Sequence, residues 1–314
     1  MLLWPALLGL VQAQSFPNHN LSMVVPFSAG GTADLFTRPL SQALAAHWGH
    51  SVVVENVPGG DTTIGASRVA QAVADGHTLL MTNSQSLVGN RFLFKKMPYD
   101  PDKSLIPVIM VARSGSFLMT HPSFPATSIR ELVNMARAQP GQIAYASTGR
   151  GSAAQLVLET LGKREKISFN HIPYKGVAPA MTALASGEDS IGVFTPAGSG
   201  AMVRAGKVRP IAITSKSRLK LFPQVPSVVE AGYPYLTYLT WFGLFVPAAT
   251  SPQIVQQIYR DVERILKQPQ FVEKYIASAS LDAVGSHPEE FAASIRDEIV
   301  NVGAMVSAAN LLPQ

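Results

Sequence analysis

Short apolar segments alternate with amphipathic stretches along most of the chain, and this alternation constrains the fold more than any other feature. Short runs rich in β-branched residues are typical of strands, and a 3.6-residue apolar period is typical of helices. Strands that alternate with helices predict an α/β fold with mainly parallel sheets flanked by helices. The predicted strands cover residues 21–26, 52–55, 78–82, 106–112, 117–120, 143–146, 168–172, 190–194, 208–214 and 242–246. The predicted helices cover residues 33–47, 64–74, 129–138, 152–161, 179–186, 252–267 and 288–308.

Two segments interrupt the alternation and predict where the chain crosses between lobes. Residues 119–128 (MTHPSFPATS) contain two prolines, and residues 231–243 (AGYPYLTYLTWFG) are rich in aromatic residues, Gly and Pro. A chain of 314 residues is long for one hydrophobic core, so two lobes are expected. Lobe 1 would then be discontinuous, with residues 20–120 and 240–314, and lobe 2 would hold residues 121–239. Ligands of such folds bind at the carboxyl ends of strands, in the cleft.

The first residues, MLLWPALLGLVQAQ, form an apolar run that ends in Val11-Gln12-Ala13. Small residues at the last and third-last positions suit signal peptidase, so we expect a signal peptide over residues 1–13 and cleavage before Gln14. The run is shorter than the ~20 residues needed to span a bilayer. These features predict a soluble exported protein. No Lys or Arg precedes the run, so a start upstream of Met1 is an open alternative.

Three strand-to-helix loops are rich in glycine and hydroxyl residues. The first contains Gly30 and Gly31, the second is residues 82–86 (TNSQS), and the third is residues 147–156 (STGRGSAAQL), where Ser152 is placed to cap the next helix. Glycines let the backbone approach a ligand, and a helix N-terminus presents free N–H groups to an anion. Ordinary turn chemistry would explain any one of these loops. Three of them, with at least one in each lobe, predict a cleft that binds an anion.

Composition and motifs exclude several other classes of protein. The chain has no cysteine, which removes thiol catalysis, disulfides and Cys-type zinc sites. The net charge of +5 favours anionic small molecules over nucleic acid, because no run of Lys or Arg is longer than two. No P-loop, dinucleotide fingerprint or GxSxG elbow is present. The seven histidines do not pair at metal-ligand spacing. We therefore predict neither catalytic residues nor a metal or cofactor.

Several segments resemble one known family, in order and at the expected spacing. They are VVPFSAGGTAD, VVVENVPGGDTTIG, ADGHTLLM, FKKMPYDP, STGRGSAAQL, HIPYKGVAPAMTAL, RAGKVRPIAITS, VPSVVEAGYP and WFGLFVPAATSPQIV. Over residues 21–300 the chain resembles the extracytoplasmic solute receptors of tripartite tricarboxylate transporters, the Bug-type family. The resemblance implies a periplasmic, two-lobed "Venus flytrap" of the type II binding-protein fold, without catalytic activity. Such a receptor binds a small organic acid and hands it to membrane permease subunits.

The resemblance also implies which residues bind the ligand. The first loop would hold a ligand carboxylate by backbone groups and ordered waters, and hydroxyls of the second and third loops would complete the site. Lys175 lies in the family's YKG element, where it would pair with a carboxylate, although a solvated lysine is an even alternative. The implied ligand-binding residues are Phe27, Ser28, Ala29, Gly30, Gly31, Ser84, Ser86, Thr148, Gly149, Ser152, Lys175 and Ser190. The implied ligand is a di- or tricarboxylate, an amino acid or an aromatic acid, with a neutral amide as an alternative, and the receptor is expected to be a monomer that binds no nucleic acid.

Some positions depart from the family pattern. Ser190 occupies the place of a usual aspartate, and Asp189 lies one position early. Gln155 replaces a histidine, while Arg150 and Arg91 stand where small residues or proline are more usual. These changes leave the ligand's identity open. Two alternative functions also stay open: a sensor partner that presents ligand to a membrane kinase, and an enzyme on the same fold, which would need an acid/base pair or nucleophile in the cleft.

Overall fold

The computed structural model describes residues 16–309 and 311–313, so the expected signal peptide and the cut before Gln14 lie outside the described residues. The strands are β1 Leu21–Val25, β2 Val52–Asn56, β3 Thr78–Asn83, β4 Leu105–Gly115, β5 Phe117–Thr120, β6 Ala144–Ser147, β7 Asn170–Pro173, β8 Ile191–Phe194, β9 Arg209–Ile213, β10 Leu239–Pro247 and β11 Asp282–Ala283. The helices are α1 Thr32–Trp48, α2 Thr63–Ala70, α3 Asn90–Leu93, α4 Ile129–Ala138, α5 Ala153–Glu165, α6 Val177–Ser186, α7 Pro196–Arg204, α8 Pro252–Leu266, α9 Pro269–Tyr275 and α10 Pro288–Ala309. A π-helical segment, Gln85–Gly89, joins β3 to α3.

The strands form two sheets with helices packed against them, and we refer to each sheet with its helices as a lobe. The first sheet has the order β11-β4-β10-β3-β1-β2, and the second has the order β7-β6-β8-β5-β9. Strand β1 is parallel to β2 and β3, and β6 is parallel to β7 and β8. In contrast, β10 is antiparallel to β3 and β4, and β5 is antiparallel to β8 and β9. Both sheets are therefore mixed.

The sheets are mixed and not purely parallel, and the reason lies in how the chain changes sheets. A parallel connection needs a crossover of a dozen or more residues. Strands β5 and β10 instead enter their sheets directly from the other lobe, and so start at the edge that faces it. Strands β5 and β10 therefore run away from the cleft, whereas the carboxyl ends of the strands beside them point towards the cleft.

The two passages between the sheets lie side by side and are hydrogen-bonded together. The first is Ser116, between β4 and β5, and the second is Tyr238, directly before β10. Thr214 links them, because its hydroxyl accepts from the Ser116 N–H at 2.8 Å and donates to the Tyr238 carbonyl at 2.6 Å. We call Ser116, Thr214 and Tyr238 the hinge. Because these hydrogen bonds tie the two passages together, the hinge is a defined pivot and not a loose linker.

The hinge corrects one predicted boundary. The first passage lies at Ser116 and not within residues 119–128, and the strand Phe117–Thr120 pairs in the second sheet rather than the first. The boundary placed after residue 120 therefore has to move before this strand. The prolines that marked the segment lie in the turn that leads from β5 to α4, at the end of the sheet remote from the cleft. The second passage, at Tyr238, falls inside the predicted segment 231–243.

Apolar helix faces complete the two lobes. Phe36 of α1 packs edge-on against Phe242 of β10, with ring centroids 5.3 Å apart. On the other face of the first sheet, Phe291 of α10 lies 5.0 Å from Trp241 and 5.2 Å from Phe245. Helix α10 also contacts α5 of the second lobe, so it bridges the two lobes behind the cleft. Within the described ranges, no helix is both long and apolar enough to cross a membrane.

Candidate ligand-binding site

A cavity of about 530 Å³, open mouth included, lies between the two lobes beside the hinge. Its walls come from loops at the carboxyl ends of strands in both sheets. The lining residues are Phe27, Gly31, Thr32, Ala33, Asn83, Ser84, Gln85, Ser116, Thr148, Ala153, Val177, Val193, Phe194, Thr195, Thr240 and Phe242. None of them carries a formal charge, so the attraction for an anion has to come from backbone and neutral polar groups.

Helix N-termini supply that attraction. The N-caps or first residues of α1, α6 and α7 line the cavity, namely Gly31 and Thr32, Val177, and Thr195. The N-cap residues of these three helices make no side-chain capping hydrogen bond. The first N–H groups of a helix have no partner inside the helix and carry its positive partial charge. Three such ends around one small cavity favour a bound anion without a cationic side chain.

The first loop is held by an acid that the sequence places in the first turn of α1. Asp34 is buried, and its Oδ2 accepts from the Gly30 N–H at 3.0 Å and from Arg38 Nε at 2.9 Å. Burial raises the pKa of Asp34, but the hydrogen bonds from Arg38 and Gly30 outweigh it and leave the pKa below its usual value. Asp34 is therefore an ionised clamp on the loop. Gly30 needs to be glycine because its φ is +77°, whereas a Cβ on Gly31 would meet Val177 of the second lobe only at ordinary van der Waals distance.

Gln85, which sequence reasoning did not single out, makes three hydrogen bonds across the cleft. Its amide nitrogen donates to the carbonyls of Thr148, at 3.2 Å, and Arg150, at 2.8 Å. The Thr148 hydroxyl donates in return to Gln85 Oε1 at 3.1 Å. The side chain is buried, so these bonds replace its hydration. The only sequence signal was its place in TNSQS, between two serines that were predicted to bind ligand.

Other hydrogen bonds join the lobes at the mouth of the cavity. The Ser28 hydroxyl donates to the Lys175 carbonyl at 2.8 Å, and the hydroxyls of Thr32 and Thr195 share a hydrogen bond of 2.7 Å. Thr195 and Thr32 both line the cavity, so this bond joins the starts of α7 and α1 directly over it. The two lobes are therefore in a closed arrangement.

Backbone contact between glycines tightens the closure on the side of the third loop. A Cβ built on Gly89 of the first lobe would lie 2.3 Å from the Gly151 carbonyl oxygen of the second, so no side chain fits between them. Nearby, Asp61 Oδ1 accepts from the Arg150 N–H at 3.1 Å across the cleft. Burial raises the pKa of Asp61, and the Arg150 hydrogen bond opposes that rise. Asp61 also has a φ of +51°, a conformation that is unusual for a residue with a side chain.

The structure brings some of the expected binding residues to the cavity and leaves others outside its lining. Phe27, Gly31, Ser84 and Thr148 line it. Ala29 and Gly30 lie on the exposed side of the first loop, and Lys175, also exposed, lines a neighbouring groove that shares Phe27 and Thr148 with the cavity. Three residues lie behind the lining and hold its loops: Ser86 bonds to Thr62 and Thr82, the Gly149 N–H donates to Ser147, and Ser152 caps α5.

Ser190 lies away from the cavity. It directly precedes β8, and its backbone bonds to Ala144 and His121 at that end of the sheet. The cavity is lined by Val193 and Phe194 from the opposite end of the same strand. The structure thus does not place Ser190 with the other residues, because ligands meet the carboxyl end of a strand and Ser190 stands at the amino end. Its neighbour Asp189 is buried and accepts from the Tyr174 hydroxyl at 2.8 Å.

The cap of α5 gives a first prediction. Ser152 is buried and its side chain accepts from the Gln155 N–H. Replacing it in Ser152→Ala should lower the free energy of unfolding by ~1 kcal/mol through loss of the cap. Chemical denaturation measures this, with Ser186→Ala at the end of α6 as a control that removes a serine without removing a cap. Equal stability of Ser152→Ala and wild type would contradict the capping role.

One cluster of potential metal ligands lies far from the cavity, near the start of the described chain. His19, Asp75 and His77 bring ligand atoms within 4.8 Å of one another, although sequence spacing had predicted no such grouping of histidines. The chain folds back on itself here, which spacing alone does not reveal. The rings of His19 and His77 are stacked face to face, with centroids 3.6 Å apart. The nitrogen lone pairs of an imidazole lie in the plane of its ring. Because the two rings are stacked in parallel planes, their lone pairs do not converge on one ion as metal ligation requires.

Two mixed α/β lobes joined by a hinge, with an uncharged cavity closed between them, define a two-lobed solute-binding protein. The family model named tripartite tricarboxylate transporter family receptor matches residues 36–311 of the sequence. The chain therefore belongs to this family of receptors, as its sequence motifs predicted.

Known proteins of similar sequence and structure agree with this membership. BugT of Bordetella pertussis is 33% identical over 290 residues, which cover 92% of this chain and 89% of BugT. Among solved structures, the periplasmic binding protein BugD has a TM-score of 0.90 and 27% identity, over 95% of this chain and all of BugD. An R. palustris protein solved with adipate has a TM-score of 0.91 and 29% identity, over 96% of this chain and 100% of that one. MatC from Rhodopseudomonas palustris, solved with malate, has a TM-score of 0.89 and 28% identity, over 93% of this chain and 100% of MatC. The two-lobed fold class is thus confirmed, with mixed sheets.

Proposed function

We propose that this chain binds a small organic carboxylate in the cavity and delivers it to the membrane subunits of a tripartite transporter. The observation that carries the proposal is the convergence of the N-termini of α1, α6 and α7 on a cavity without charged side chains. A carboxylate there would accept hydrogen bonds from free backbone N–H groups and from hydroxyls such as that of Thr195. The adipate and malate bound to two structural relatives support the same class of ligand.

The remaining parts of the proposal concern what the chain does with its ligand. We assign it a carrier role and no catalysis, since the residues that line the cavity offer no acid/base pair and no activated nucleophile. Membership of the receptor family supports a periplasmic location and membrane permease subunits as partners, and we propose that the protein is a monomer in solution. We propose lobes that follow the two sheets, with passages at Ser116 and Tyr238. A sensor role would use the same site, and a pull-down with permease against kinase ectodomains would separate the two.

A melting screen over organic acids tests the proposal. A carboxylate present at ~100 times its dissociation constant should add about 2.7 kcal/mol to the free energy of unfolding. The matched comparison is each diacid against its neutral diamide, for example adipate against adipamide, which has the same chain length and shape. We expect the acid to raise the melting temperature and the diamide to leave it unchanged. A shift with neutral compounds and with no carboxylate would refute the assignment.

A further inference from the structure

A chain of buried polar groups leads from the cavity wall into the body of the first lobe. The hydroxyl of Ser84, which lines the cavity, shares a 2.9 Å hydrogen bond with the buried hydroxyl of Tyr238 at the hinge. Glu298 of α10 lies against these two hydroxyls, and the indole N–H of Trp241 donates to its Oε2. The second carboxyl oxygen, Oε1, is buried and makes no hydrogen bond with any described residue. A buried carboxyl oxygen without a donor is costly when ionised and is relieved by protonation.

We propose that Glu298 is a positioning residue that sets the direction of the Ser84 hydroxyl and so couples carboxylate binding in the cavity to uptake of a proton. This inference rests on the proposed function, because it concerns the same cavity. It adds to the site a residue that does not contact the ligand. It also makes ligand affinity depend on pH, which the cavity lining alone would not do because it holds no titratable side chain.

The coupling follows from the number of protons in the chain of hydroxyls. Each hydroxyl has one hydrogen to donate. When Glu298 is ionised, it draws the hydrogens of Tyr238 and Ser84 towards itself, and Ser84 turns lone pairs to the cavity. When Glu298 is protonated, it donates towards Tyr238, Tyr238 donates to Ser84, and the Ser84 hydrogen is free for a ligand carboxylate. Repulsion between two carboxylates acts in the same direction, since a bound anion favours the neutral form of Glu298.

The surroundings of Glu298 allow it to titrate near neutral pH. It lines a surface groove on the side of the first lobe away from the cavity, so protons reach it from solvent. The other titratable groups of that groove are Arg113 of β4, Asp297 of α10, Tyr235 and Tyr238, and no positively charged side chain except Arg113 lines it. Burial raises the pKa of Glu298 to about 7, although the polar groups of Trp241, Ser84 and Tyr238 beside it oppose the rise. A bound anion raises the pKa of Glu298 further. The affinity for the anion should therefore be full below the pKa of the unliganded protein and should fall as the pH rises through that pKa.

The test compares the affinity for adipate at pH 6 and pH 8 by calorimetry, in wild type and two glutamate variants. Wild type should bind about tenfold more weakly at pH 8, the change expected when one group with a pKa near 7 must be protonated on binding. Glu298→Gln keeps the shape, cannot ionise and should bind equally at both pH values. The control is Glu159→Gln, which alters another partly buried carboxyl beside a tyrosine hydroxyl, that of Tyr145, in the other lobe. It should retain the wild-type pH dependence.

A second variant distinguishes positioning from a general structural effect. Tyr238→Phe keeps Glu298 but removes one of the two hydroxyls that lie against it, so adipate binding should lose part of its pH dependence. In the unliganded Tyr238→Phe protein, the indole N–H resonance of Trp241 should still titrate, as in wild type and unlike in Glu298→Gln. A tenfold loss between pH 6 and 8 that persists in Glu298→Gln would overturn the inference, as would wild-type binding that does not vary with pH. Absence of binding by adipate, malate and every other carboxylate at both pH values would instead overturn the proposed function.

Discussion

Gly89→Ala should leave both lobes folded and prevent them from closing on a ligand. The new methyl group would lie 2.3 Å from the Gly151 carbonyl oxygen, which is backbone and cannot turn away. Gly89 has helical dihedral angles, so alanine itself is not strained there. Loss of the closed contacts at a cost of ~3 kcal/mol corresponds to roughly a hundredfold weaker affinity. Calorimetry with the carboxylate that most stabilises wild type measures the loss, and small-angle scattering should show that the variant stays open with that carboxylate present.

Gly200→Ala is the matched control for this variant. Gly200 lies inside α7, and a Cβ there would meet the flexible end of Arg204 at 3.4 Å and the ring of Phe222 at 3.5 Å, both ordinary van der Waals contacts. This control should bind as wild type does and unfold at an equal or slightly higher denaturant concentration, because alanine favours helix more than glycine does. Wild-type affinity in Gly89→Ala would show that the lobes bind ligand without the contact between Gly89 and Gly151.

Gln85→Ala should also weaken binding strongly, by removing the polar link across the cleft. The side chain makes three hydrogen bonds with Thr148 and Arg150 of the other lobe. At a net ~1 kcal/mol each, their loss should destabilise the closed state by ~3 kcal/mol. The open protein does not form these bonds, so its melting temperature without ligand should fall less than its affinity does.

The control for this variant is Gln71→Ala, because Gln71 makes its side-chain hydrogen bond to Ser67 within one lobe and on the surface. Its affinity and stability should both be close to those of wild type. If Gln85→Ala bound as tightly as Gln71→Ala, the bonds from Gln85 would be incidental to closure, and the glycine contact and the other hydrogen bonds across the cleft would have to hold the lobes.

Periodicity predicted the strands and most long helices well, since it reports which faces are buried. The strand Phe117–Thr120 and the helix Ile129–Ala138 have the predicted bounds. Helix α7 was missed because its sequence, PAGSGAMVR, is rich in small residues and shows no clear apolar stripe. Proline usually kinks or breaks a helix, yet α1 contains Pro39 and runs from Thr32 to Trp48 without a break. The edge strand β11 consists only of Asp282–Ala283, which is too short to show an alternating pattern in the sequence.

The site was predictable only in part, because its chemistry depends on which distant segments meet. The loops were found from glycine and hydroxyl content, and Ser84 and Thr148 do line the cavity. Gln85 and Thr195 look like ordinary polar residues until the second lobe is placed against the first. Ser190 came from the family resemblance, although its place before a strand argues against it. Glu298 is one charge among several on a long helix, and only the packing of α10 on β10 makes it a buried carboxyl.

The central position of β10 affects how the chain can acquire its fold. Because Leu239–Pro247 lies between β3 and β4, the first sheet cannot be completed until this late segment is available. The second sheet uses only consecutive strands, from Phe117 to Ile213, and its contacts are closer in sequence. We therefore expect the inserted lobe to fold first, with residues 21–115 held unfinished until the chain returns. During that interval the open side of β3 would be exposed, a natural place for a chaperone to bind or for misfolded chains to associate.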